Sequence, residues 1–197
     1  HAVSLHPLVV IIGITAATLL AGLAGALFVV PLLAFAAAAI RVLVVAPTSV
    51  CGNWLAETLR FAPGLNPRIY SEADEGEREQ LIAEAGPQDV LIVSYTLLQL
   101  AQERFAGRSW HTLVADEAQA IKNAATKRSQ AVFDLPADFR LALSGTPVEN
   151  RLSDLWSIFD FTHPGLLGSG KVFGDFTKRL AQSEHYGPLR TLVRPYI

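Results

Sequence analysis

The chain of 197 residues is 51% hydrophobic and 17% charged, carries a net charge of −2, and holds one cysteine and no methionine. Such a composition belongs to an ordinary globular domain with or without an apolar appendage, and a single Cys51 excludes an intramolecular disulfide framework and a Cys-based zinc site. A reducing compartment follows by default, and the missing methionine at position 1 reads as a segment of a longer protein.

Charge is unevenly spread, because every Asp, Glu, Lys and Arg lies at or beyond Arg41. Residues 1–40 are uncharged, and within 8–30 only Thr15 and Thr18 are polar, a run long enough to span a bilayer. Without a basic n-region, and with too long an apolar core, it does not fit a signal peptide. Two readings stay open for 1–40: a membrane helix over 8–30, or an aberrant or unusually apolar terminus of an α/β domain. If the run spans, Arg41, Arg60 and Arg68 behind it place the remainder in the cytoplasm.

From Arg41 onward, short β-rich runs alternate with longer amphipathic ones, the pattern of a parallel sheet with helical crossovers. Residues 41–46 predict a buried strand. Pro47, Thr48 and Ser49 offer a turn and a helix N-cap, and the helix runs through Trp54, Leu55 and Leu59 to about Phe61. Pro63, Gly64 and Pro67 break it. Ile69 and Tyr70 predict a short strand, followed by an acidic, solvated helix over 75–85 that ends at Gly86 and Pro87. A strand over 89–94, a helix over 95–105 and a strand over 110–115 come next. The pattern closes with a helix over 124–133, a strand over 139–143 and a helix over 152–161.

Two polar clusters fall directly after predicted strands, where open parallel sheets bind ligands. The first is Asp116-Glu117-Ala118-Gln119. Adjacent carboxylates closing an apolar strand are costly without a cation opposite, and hydrated Mg²⁺ on a nucleotide meets that need; a solvated helix N-terminus is the plainer alternative. The second is Ser144-Gly145-Thr146-Pro147, whose hydroxyls could relay a change at a nucleotide, or which could simply be a turn capping the next helix.

These stretches resemble the Walker B and third motifs of the bacterial branch of Swi/Snf-type helicase-like ATPases, in Leu113-Val-Ala-Asp-Glu-Ala-Gln-Ala-Ile-Lys-Asn123 and from Leu141 to Phe161. Val44-Val-Ala-Pro-Thr-Ser-Val50 with Asn53 and Trp54 resembles the family's motif Ia, Val93-Ser-Tyr-Thr-Leu97 its motif Ib, and the segment from Leu189 to Ile197 the end of the first RecA-like lobe. The resemblance covers about 41–197. It implies a RecA-like parallel sheet with helices on both faces, the P-loop NTPase type of lobe, and membership of an ATP-driven translocase on double-stranded DNA that remodels protein–DNA complexes. The implied cofactors are ATP and Mg²⁺. The implied partners are duplex DNA, a second RecA-like lobe of the same chain that is missing here, and a protein cargo on the DNA. The implied setting is the bacterial cytosol and nucleoid.

By position, the resemblance makes Asp116 the Mg²⁺ ligand and Glu117 the activator of water, with Gln119 linking the nucleotide site to the third motif. Ser144, Gly145 and Thr146 become the coupling residues. Thr48, Ser49, Ser94 and Tyr95 match positions that face the DNA backbone, where hydroxyls and amides can track phosphates without reading sequence. A helix cap at Thr48 and Ser49, and a core role for Tyr95, are the alternatives. Lys122, Lys127 and Arg128 form a small basic group, and the overall charge shows no basic footprint.

The phosphate loop departs from the family pattern. Such a loop needs glycines, a lysine and a hydroxyl, yet no lysine precedes Lys122, and the window where the loop belongs reads Ala21-Gly-Leu-Ala-Gly-Ala26. Gly22 and Gly25 echo a phosphate loop without its lysine. The expectation is therefore a motor lobe whose isolated chain binds and turns over nucleotide poorly. A membrane-anchored, inactive module that binds DNA or protein is the alternative. A hydrolase of another α/β type is disfavoured, since Ser144 is in no nucleophile elbow and neither His111 nor His163 is placed as a base. Cys51 is expected to pack against the sheet, although a place near a helix N-terminus is also one that lowers a thiol pKa.

Overall fold

The computed structural model describes residues 41–145, 152–183 and 187–196. Readings that fall on 1–40, including the 8–30 run, Gly22 and Gly25, and on Thr146 lie outside these residues. Among the described residues no helix is long and apolar enough to cross a membrane.

Five strands form one parallel sheet: β1 (Val42–Ala46), β2 (Asn66–Ile69), β3 (Asp89–Ser94), β4 (Trp110–Asp116) and β5 (Ala137–Leu143), in the spatial order β2-β3-β1-β4-β5. The near-continuous apolar runs of β1, β3 and β4 are what a strand covered on both faces requires, and all five residues of β1 are buried. Because side chains alternate, β1 sends Leu43 and Val45 to one core and Val42, Val44 and Ala46 to the other. The first core includes Tyr70, Leu98, Phe105, Trp110, Val132 and Phe161. In the second, Cys51 and Trp54 of α1 (Cys51–Phe61) pack with Leu65 and Ile69. Helices thus lie on both faces of the sheet, as the sequence implied.

The remaining helices are α2 (Glu75–Ala83), α3 (Tyr95–Leu100), α4 (Gln102–Ala106), α5 (Lys127–Phe133), α6 (Leu152–Thr162), α7 (Gly170–Ser183) and α8 (Gly187–Val193). The acidic helix α2 begins in a capping box: Asp74 accepts from the Glu77 amide while the Glu77 side chain accepts from the Asp74 amide. Helix α6 has two apolar faces. Its Phe161 enters the sheet core, whereas Leu155 and Phe159 join Phe173 and Leu180 of α7 and Leu189 and Val193 of α8 in a separate cluster.

Several boundaries differ from expectation. The single helix read over 95–105 is two, because Ala101 leaves helical geometry at φ −111° and ψ 22°. The helix read from 124 starts at Lys127, where the Thr126 hydroxyl accepts from the Ser129 amide; residues before it form a turn in which Thr126 also donates to the Asn123 carbonyl. Strand β2 starts at Asn66 rather than Ile69, held in parallel register with β3 and by the Asn66 amide group donating to Asp89 at 2.7 Å. Thr48 and Ser49 do not cap α1. They lie in a short 3₁₀ turn, Thr48–Val50, and neither that turn nor α1 has a side-chain cap bond at its start.

Candidate functional site

Parallel strands bring all their carboxyl ends to one edge of the sheet. The turn with Thr48 and Ser49 therefore follows β1, Ser94 and Tyr95 close β3, Asp116 and Glu117 close β4, and Ser144 and Gly145 follow β5, with β3, β1, β4 and β5 as successive neighbours.

Asp116 is the centre of this edge. Its Oδ2 accepts from the Trp54 indole N–H at 2.8 Å, its Oδ1 accepts from the Glu117 amide at 2.9 Å, and its backbone carbonyl accepts from the Tyr95 hydroxyl at 2.8 Å. A carboxylate offers about four lone-pair positions. Among the described residues no donor takes the other two, which leaves them for a cation or its waters. Glu117 has φ +50°, a left-handed conformation that costs a side-chain-bearing residue about 1 kcal/mol. That turn takes the chain abruptly out of β4 and leaves the Glu117 side chain exposed while Ala118 behind it is buried.

A relay joins β4 to β5. The Gln119 Nε2 donates to Glu117 Oε2 at 2.5 Å, and the Ser144 hydroxyl donates to Gln119 Oε1 at 3.0 Å. An ionised carboxylate can only accept, so the amide must turn its nitrogen to Glu117 and its oxygen to Ser144. The linking role expected of Gln119 and Ser144 thus has a geometric basis. Gly145 is exposed at the end of the same segment.

The DNA-facing positions divide. Thr48 and Ser49 are exposed. Ser94 and Tyr95 are buried, and their hydroxyls are used internally: Ser94 accepts from the Leu97 amide as the cap of α3, and Tyr95 donates to Asp116. Their side chains thus face inward in this lobe. Burial, reinforced by the nearby Asp116 carboxylate, pushes the Tyr95 hydroxyl above the usual phenol range, so Tyr95 stays a neutral donor. The role of Trp54 was missed. Its signal in the sequence was the Asn53-Trp54 pair within the segment that resembles motif Ia.

Cys51 is 5% exposed, and burial raises its thiol pKa above the ordinary value, outweighing a lowering by a backbone hydrogen bond. The Asp116 and Glu72 carboxylates raise it further. A thiol activated by the helix start is therefore not what the fold builds. At pH 8 the native chain should react with a chromogenic disulfide reagent about tenfold or more slowly than the urea-unfolded chain. The native rate should climb only above the usual thiol range, and equal rates at pH 8 would contradict this burial.

Among the described residues no group of three or more His, Cys, Asp or Glu could hold a metal alone. Asp116 and Glu117 at a strand end instead suit Mg²⁺, which keeps several waters and is usually shared between one or two carboxylates and substrate phosphates.

Residues 18–197 match the family profile described as the SNF2-related domain. The chain is similar to a protein of Bacillus subtilis named as an ATP-dependent helicase/translocase, YwqA, at 40% identity over 162 residues, which cover 79% of this chain and 17% of that protein. It is also similar to the TATA-binding protein-associated factor mot1 of Aspergillus fumigatus, at 39% identity over 142 residues, covering 72% of this chain and 8% of that one. Among solved structures, the SWI2/SNF2 ATPase core of Sulfolobus solfataricus in complex with double-stranded DNA superposes over 100% of this chain and 44% of its own, with TM-score 0.76 and 30% identity. The chain thus spans only a small part of the length of these two relatives.

Proposed function

The chain belongs to the SNF2-related domain family, and from that premise we propose that it is the first RecA-like lobe of an ATP-dependent, DNA-stimulated translocase, half of a site completed by a second lobe. The observation that carries the proposal is the relay from Glu117 through Gln119 to Ser144 beside a doubly held Asp116, at the carboxyl edge of a parallel sheet. A plain strand-to-helix turn would not need it.

In this reading Asp116 would hold Mg²⁺, which would supply positive charge against the nucleotide phosphates. Glu117 keeps Oε1 for the attacking water while Gln119 secures Oε2, so the carboxylate is oriented before substrate arrives. Ser144 registers at β5 any movement of Gln119, and Gly145 and Thr146 continue that coupling segment. Thr48 and Ser49 face the DNA backbone, with Lys122, Lys127 and Arg128 available to add positive charge. The DNA-bound structural relative supports the choice of duplex DNA, and the likeness to mot1 supports a protein cargo on that DNA.

The family match begins at residue 18, which supports assigning part of the uncharged segment to the lobe rather than to a separate membrane anchor. A cytoplasmic setting, where ATP and DNA meet, goes with this. Gly22 and Gly25 hold the place of a phosphate loop that lacks its lysine, so this chain alone is expected to turn over ATP negligibly. The test is to restore a glycine–lysine–threonine loop at 21–26, join the second lobe, and measure ATP hydrolysis with and without duplex DNA. DNA-stimulated turnover is the expected outcome, and a folded, restored protein that hydrolyses no ATP overturns the proposal.

A further inference from the structure

Trp54 and Asp116 lie 62 positions apart in the chain and are joined by a 2.8 Å hydrogen bond. Trp54 sits one turn into α1, the helix that continues from the exposed Thr48–Val50 turn, and is itself buried against the sheet. The indole therefore spans the interval between a surface segment after β1 and the carboxylate that closes the neighbouring strand β4. An indole N–H is a donor that neither titrates nor accepts, so its one fixed direction sets which way the Asp116 oxygen can point. With Oδ1 held by the Glu117 amide, the Trp54 bond removes the remaining freedom of rotation of the carboxylate about its Cβ–Cγ bond.

The geometry points to Trp54 as a positioning residue: its indole N–H orients Asp116 toward the cation and transmits to it any displacement of the Thr48–Val50 turn by bound DNA. The inference rests on the function proposed above and deepens it, because it names a physical link through which DNA stimulates the nucleotide site. Helix α1 is the lever. Its start is the DNA-facing turn, its body packs on the sheet through Cys51 and Trp54, and Trp54 carries the donor. Tyr95 holds the backbone carbonyl of the same residue, so when α1 shifts, the Asp116 side chain reorients while its main chain stays anchored.

The test uses the full 197-residue chain labelled with ¹⁵N, in which Trp54, Trp110 and Trp156 give the three indole N–H signals. Mn²⁺ alone, as a paramagnetic stand-in, should broaden the Trp54 indole and the Glu117 amide well before Trp110, which begins β4 at its opposite end. A short DNA duplex should shift the amides of the Thr48–Val50 turn and, with them, the Trp54 indole. Trp54→Phe, which keeps a ring but no N–H, should require about tenfold more Mn²⁺ to broaden the Glu117 amide. Trp54→His, a smaller ring that restores a donor, should recover part of that loss, whereas a packing role would rank Phe above His.

If the turn responds to DNA and Glu117 to Mn²⁺ while the Trp54 indole stays still, or Trp54→Phe responds to Mn²⁺ like the wild type, the inference falls and the proposed function stands. If neither DNA nor Mn²⁺ moves any of these signals, the inference falls, and the proposed function is judged by hydrolysis in the restored two-lobe protein. The wild-type indole measurement needs no variant, so a misfolded substitution does not remove the test.

Discussion

Replacing Glu117 with Gln in the two-lobe protein with a working phosphate loop should lower DNA-stimulated ATP turnover by about 10²–10⁴-fold, the usual worth of a positioned general base. Nucleotide affinity should hold. The separation follows from the site's construction. Glu117 Oε2 only accepts from Gln119, and a glutamine oxygen can accept in its place, so the relay to Ser144 survives. The left-handed backbone at Glu117 is no harder for glutamine than for glutamate, because both carry a similar side chain. Asp116 retains its bonds from Trp54 and the residue 117 amide. What disappears is the anionic oxygen that would receive a proton from water. Steady-state hydrolysis measured beside equilibrium binding of a fluorescent ATP analogue separates the two quantities. Turnover within tenfold of wild type would remove Glu117 from the chemistry, and a matching loss of affinity would recast it as a binding residue.

The same residues show what a sequence discloses and what it withholds. Strands β1, β3 and β4 were legible because a strand covered on both faces must be an uninterrupted apolar run, and the chain displays three. The acidic pair and its glutamine were legible because two carboxylates at the end of such a run demand an explanation. The bond from the Ser144 hydroxyl to Gln119 needed only the next strand end to lie alongside, which parallel pairing of β4 with β5 ensures. The inward turn of Ser94 was not legible, and that of Tyr95 stood only as the alternative to a DNA-facing role. A hydroxyl after a strand can face solvent, cap a helix as Ser94 does for the Leu97 amide, or reach a carbonyl across the sheet as Tyr95 reaches that of Asp116, and only the packing chooses. Nor was the Trp54 bond. A tryptophan at a helical spacing reads as core, which it is, and only the packing of α1 over β4 decides where its one polar atom points. Helices α7 and α8 were missed for another reason: their apolar residues pack on a second face of α6 rather than on the sheet, so no strand pattern announces them.

Trp110→Ala should destabilise the chain by about 3–5 kcal/mol, a large share of the roughly 5–15 kcal/mol that holds a domain folded. Trp110 is fully buried at the start of β4, with its ring centroid 6.2 Å from that of Phe105, which in turn meets Tyr70 edge-on at 5.0 Å. Its indole N–H donates to the Phe105 carbonyl at 3.2 Å, and its own amide donates to Pro136 just ahead of β5. Truncation leaves a cavity between α4 and the sheet that β4, paired on both sides, cannot close. Urea unfolding followed by circular dichroism measures the loss, and a change under about 1 kcal/mol would mean that the site collapses freely. The consequence for function is testable in the same sample. Strand β4 carries Asp116 at its far end, and a slip of one residue against β1 would turn that carboxylate to the opposite face of the sheet. The pairings of β4 with both β1 and β5 resist such a slip, so the folded fraction of Trp110→Ala should keep the Trp54 indole N–H signal at its wild-type position. A displaced signal would show that the core under Trp110 sets the register of the site as well as its stability.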